Sequence, residues 1–97
     1  MLRFSKLKVL GHEYEVRENP TIRVERDTSG QCCSTNLWIS VDPAMKSTRC
    51  EETFLHEIFE ALKWHLQIKI EHDHLSALSE GLYQVLKENG MKTEWVE

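Results

Sequence analysis

The sequence predicts an α+β fold: a small antiparallel sheet followed by two packed helices. Two observations predict it. Up to about residue 43, short apolar–polar alternations are separated by turn-forming residues, the pattern of half-buried strands. From about residue 47, apolar residues recur at intervals of three and four, the pattern of amphipathic helices. Strands grouped first and helices second, rather than interleaved, suit helices packed on one face of an antiparallel sheet. The 97 residues are expected to form a single domain, 1–97, with one modest core.

The strands come first. "KLKVLGHEYEVRE" places Leu7, Val9, Tyr14 and Val16 in alternation, with Gly11 and His12 between the runs, so a hairpin is expected. "TIRVER" after Pro20 reads as another short alternating strand, and "DTSGQCCSTN" as a loop. "LWISV" reads as a strand with Leu37, Ile39 and Val41 on one face and Trp38 on the other, ended by Asp42 and Pro43. The helices follow. The first is expected from about Arg49 to Leu66, with Ser47 or Thr48 as N-cap and Glu51 at or near capping-box distance. Phe54, Leu55, Ile58, Phe59, Ala61, Leu62 and Leu66 form its apolar arc. The second is expected from about Glu71 to Glu88, with Leu75, Leu78, Leu82, Val85 and Leu86 as its stripe and Asn89–Gly90 as its stop. The tail "MKTEWVE" is too short to assign.

Composition excludes several classes. Twelve basic against sixteen acidic residues give a net charge of −4, and no dense Lys/Arg stretch tracks a phosphate backbone, so no nucleic-acid partner is expected. No apolar run approaches the roughly 20 residues of a membrane helix, so no membrane partner is expected. The first ten residues lack a signal-peptide pattern, and the expected location is cytoplasmic. Cys32, Cys33 and Cys50 are an odd set with no C-x-x-C pair, the usage of free thiols in a reducing compartment.

The chemistry concentrates in "FLHEIFEAL", residues 54–62. At about 100° per residue, His56 and Glu60 fall outside the apolar arc and lie one above the other. Two ligands at this spacing can grip one ion, and the neighbouring Glu57 can reach a water without ligating the ion. The stretch is H-E-x-x-E, with a carboxylate where H-E-x-x-H has its second imidazole. Zinc accepts two imidazoles and one carboxylate, so if Glu60 supplies the carboxylate, the remaining ligand is expected to be a histidine. "EHDHL" at the start of the second helix offers His72 and His74, and spacing alone does not choose between them. The competing reading is a solvated face on which Glu60 pairs with Lys63 or Trp64 shields a strand.

"TFLHEIFEALKWHLQIKIEHDHLSALSEGLYQVLKEN" resembles the H-E-x-x-E helix and the following E-H helix of small phage- and prophage-associated zincin-like metallopeptidases. These are minimal relatives of the metallopeptidases that include the anti-repressor proteases of integrative elements. The resemblance covers about residues 53–88, and the two helices together are more specific than H-E-x-x-E alone. It implies a minimal zincin-like domain binding Zn2+ through His56, Glu60 and His72, with Glu57 as general base and His74 as the alternative third ligand. The implied activity is hydrolysis of a peptide bond in a protein or peptide substrate. That peptide would lie extended beside the strand Trp38–Val41. The alternative is a catalytically inactive phage protein-interaction module, zinc-stabilised or metal-free.

The other chemistry-bearing residues have plainer roles. His12 is expected to be exposed in the hairpin turn. His65 and Tyr83 are expected to pack rather than to donate to an oxyanion. Cys50, near a helix start, has no histidine placed to activate it. Trp38, Trp64 and Trp95 are expected in the core or at an interface.

Overall fold

The computed structural model describes residues 2, 3, 5–91 and 95. A hairpin comes first in the chain. Strand β1, Lys6–Val9, pairs antiparallel with β2, His12–Glu18. Leu10 and Gly11 make the turn, both at positive φ (50° and 84°), the geometry whose twist matches the flanking strands. The turn thus falls one residue earlier than the sequence suggested.

"TIRVER" is a helix, not a strand. Helix α1, Ile22–Arg26, starts because Asn19 Oδ1 accepts the Thr21 N–H and hydroxyl, both at 3.0 Å. The Glu25 carboxylate accepts from Asn19 Nδ2 and competes with Asn19 Oδ1 for the single Thr21 hydroxyl proton. These local bonds outweigh the alternating pattern, which had only Ile22 to bury. Asp27, at φ 53°, ends the turn of helix. Arg23 pairs with the buried Asp42 at 2.9 Å and ties α1 to the sheet.

The expected loop contains a strand. β3, Gly30–Cys33, pairs antiparallel with β4, Trp38–Val41, and β4 pairs parallel with β2. The sheet order is β1-β2-β4-β3, so the sheet is mixed rather than antiparallel. The reason is the extra strand: the chain crosses through α1 and β3 before returning beside β2. β4 is therefore central, with Ile39 and Val41 fully buried, and β3 is the edge. Trp38 lies on the other face, half-buried under the Arg17 guanidinium at 4.9 Å.

The two long helices complete the α+β fold. α2, Ser47–Leu66, begins about two residues early with Lys46 as N-cap, and no capping box forms. Its Cys50, Phe54 and Ala61 pack with Tyr14, Ile39 and Val41 of the sheet to make the core. Trp95 joins them, its ring edge-on to Phe54 with centroids 6.2 Å apart. The rest of the tail beyond Met91 lies outside the described residues.

α3, His72–Glu88, packs on a different face from the one its leucines suggested. It buries Leu75, Ser79 and Tyr83, and leaves Leu78, Leu82 and Val85 at 53%, 36% and 51% exposure. The buried Glu51 carboxylate explains the rotation. It accepts the Tyr83 hydroxyl at 2.6 Å and the Trp95 backbone N–H at 3.0 Å, with Lys87 Nζ at 3.4 Å. A buried carboxylate without partners is costly, so Tyr83 and Lys87 are drawn inward and the leucines outward. Among the described residues, no helix is long and apolar enough to cross a membrane.

Candidate metal centre

One unbroken helix carries the central motif, so His56 and Glu60 stack one turn apart on α2. Gln67, at φ 55°, stops α2 by turning its N–H back onto the Lys63 and Trp64 carbonyls. A short link then brings His72, the first residue of α3, back against His56. Their ring centroids are 5.0 Å apart and inclined at 66°.

The donor atoms of His56, Glu60 and His72 all lie within 4.8 Å of one another. A tetrahedral zinc ion with bonds of about 2.0–2.2 Å spaces its donors roughly 3.4 Å apart, inside the 4.8 Å span of these donor atoms. Among the described residues, none of the three makes a hydrogen bond or an ion pair, so each keeps its lone pairs for an ion. Burial holds the His56 imidazole below its usual pKa, with Glu60 opposing and His72 reinforcing. Neutral imidazole is the form that binds a metal. The donor set of two imidazoles and a carboxylate suits zinc.

Glu57 has a separate role. It is 7% exposed and also lacks a hydrogen-bond partner among the described residues. Burial, and then the Glu60 carboxylate, push its pKa up to about 8. A carboxyl poised near neutrality is suited to proton transfer. It sits under β3, whose Gly30 makes the closest approach. A Cβ there would lie 2.9 Å from Glu57 Oε2 and 2.6 Å from Thr53 Cγ2.

A cleft of about 490 Å³ opens above these residues, walled by β3 on one side and α2 and α3 on the other. His56, Glu57, Glu60 and His72 line it together with Gly30 and Cys32. The wall strand is thus β3 and not Trp38–Val41, which is paired on both sides. His74 is exposed and takes no part in the cluster or in the cleft lining, because it lies about 200° around α3 from His72.

The remaining sequence candidates lie elsewhere. Tyr83 is engaged by Glu51. His65 Nε2 is 2.6 Å from the buried Tyr14 hydroxyl, which also donates to Ser34 Oγ at 2.9 Å. His12 is exposed and stacks on His65 with centroids 4.5 Å apart. Burial raises the Cys50 thiol above its usual pKa, which keeps it protonated and inert. Burial likewise pushes Cys32 up to about 11. Sequence reasoning missed Gly30 and Cys32 as cleft residues. A glycine inside a strand marks a close backbone approach, but the strand itself was not recognised.

No protein-family model, curated protein or solved structure matches the chain.

Proposed function

We propose that the protein is a zinc-dependent peptide hydrolase of the minimal zincin-like type, of phage or prophage origin, acting in the cytoplasm. The observation that carries the reading is the convergence of His56, Glu60 and His72 beside a buried, unpartnered Glu57. His56, Glu60 and His72 would hold the ion. Bound zinc supplies Lewis acidity, polarising a carbonyl and lowering the pKa of water to about 7. Glu57 takes the proton of the attacking water on its carboxylate and returns it to the leaving amine. The substrate peptide lies extended along the free edge of β3, where the strand's unpaired backbone groups give it register.

The test is Glu57→Gln, assayed on a fluorescently labelled unfolded protein with zinc content measured in parallel. The reading expects zinc to be retained and turnover to fall at least about a hundredfold. Unchanged turnover in the variant removes Glu57 from the chemistry. A non-enzymatic alternative, a zinc-stabilised or metal-free phage protein-interaction module, is favoured by the apolar stripe Leu78, Leu82 and Val85 that α3 leaves exposed. It expects no turnover in the parent protein.

A further inference from the structure

The cleft does not end at the metal-binding cluster. A second cavity of about 410 Å³ continues along β3 in the direction of its C-terminus. Both cavities are lined by Gln31, Cys32 and Glu60, so they are two compartments of one groove. The first compartment is polar, with Glu52 and Glu80 at its outer end. The second is lined by Cys33, Trp38, Lys63 and Trp64.

Trp64 is the largest of the exposed apolar side chains among the described residues. It was expected in the core or at an interface, and at 57% exposure it is not in the core. Its ring rests edge-on against His65, with centroids 5.2 Å apart, and this leaves much of its surface open. It follows Glu60 by four residues on α2, so it stands one helical turn, about 5.4 Å, beyond that ligand candidate on the same face. An extended peptide advances about 3.4 Å per residue. Trp64 is therefore one or two peptide residues away from the carbonyl that Glu57 and the cluster would address.

The direction of the peptide follows from the strand. β3 and α2 run side by side in the same sense: Gly30 abuts Thr53 and Glu57, and Cys33 shares its compartment with Lys63 and Trp64. Antiparallel pairing on an open edge is the commoner arrangement. A peptide so paired with β3 presents its N-terminal part to Trp64 and its C-terminal part to the Glu52–Glu80 end.

We propose that Trp64, backed by the Trp38 end of the groove, is a specificity-determining subsite for a large apolar or aromatic side chain, one or two residues on the N-terminal side of the scissile bond. This rests on the metal-centre reading and names the substrate class it would take. An aromatic face buries large area at little conformational cost, and a substrate side chain laid on it removes the exposed indole from water. No tryptophan lines the first compartment.

Peptide hydroxamates test the subsite without relying on turnover, because the hydroxamate anchors to zinc and the side chain reports the neighbouring compartment. Two series, acetyl-Xaa-hydroxamate and acetyl-Xaa-Gly-hydroxamate with Xaa as Phe, Leu, Gly or Asp, are titrated into zinc-loaded protein of measured metal content. In at least one series, Phe and Leu should bind at least about tenfold more tightly than Gly and Asp. Trp64→Ala should reduce that preference to less than about threefold with zinc content unchanged, and Trp64→Phe should retain it. Tight binding with no side-chain preference, or a preference that survives Trp64→Ala, overturns the subsite and leaves the zinc centre standing. If zinc-loaded protein ignores every hydroxamate, the hydrolase reading falls and the subsite with it.

Discussion

Gly30 of the edge strand and Glu57 of the central helix are in such close approach that a single added carbon on the strand would lie 2.9 Å from the carboxylate. Burial raises the Glu57 pKa, with the Glu60 carboxylate adding to the shift. Gly30→Ala should displace Thr53 and Glu57 together and cost about 1–3 kcal/mol of stability by overpacking. Urea unfolding of the parent and variant checks it; equal midpoints would mean that β3 stands further from α2.

The buried carboxyl also gives the metal-free protein a pH signature. Glu57 titrates at about 8 when folded and near 4.3 when unfolded. The folded state thus holds this proton more tightly, and the group's relative contribution to stability is fully present below about pH 4. It is lost progressively as pH rises through about 8. In chelator-treated protein, Glu57→Gln should be more stable than the parent at pH 9, by an amount of order 3–5 kcal/mol, and nearly equal to it at pH 4. A parent–variant difference that does not change with pH contradicts this.

Tyr83 and Glu51 are predicted to hold the two long helices together independently of any metal. Tyr83→Phe removes a buried hydroxyl from a carboxylate at 2.6 Å and should cost about 1.5–3 kcal/mol. Zinc content should not change. Chemical denaturation with parallel metal analysis separates the two effects.

The rotation of α3 makes its own prediction. Leu78 and Leu82 face water, so Leu78→Gln and Leu82→Gln should each change stability by no more than about 0.5 kcal/mol. Leu75→Ala should cost about 2–5 kcal/mol, because Leu75 is buried. Comparable losses at all three positions would restore the face that the leucine periodicity suggested.

The legible parts of this molecule were those written in local pattern. His56 and Glu60 share a face because any helix through them imposes it, and both long helices lie within about two residues of their expected bounds. The helix over Ile22–Arg26 was hidden because Asn19 and Thr21 bond the backbone locally, which an apolar pattern does not reveal. β3 was hidden because "GQCC" lacks β-branched residues and gains its pairing only from β4. With β3 went the edge of the sheet, and so the wall of the cleft. The orientation of α3 was illegible for a different reason. A single buried acid, Glu51, outweighs two leucines and a valine, and nothing in its sequence neighbourhood marks it as buried.

The most direct measurement is the zinc content of purified protein after loading and dialysis, by elemental analysis, for the parent and four single alanine variants. The geometry of the cluster predicts about one equivalent in the parent and in His74→Ala, and less than about a tenth in His56→Ala, Glu60→Ala and His72→Ala. A parent that retains less than about a tenth of an equivalent, or a His72→Ala variant that keeps its zinc while His74→Ala loses it, would contradict the account.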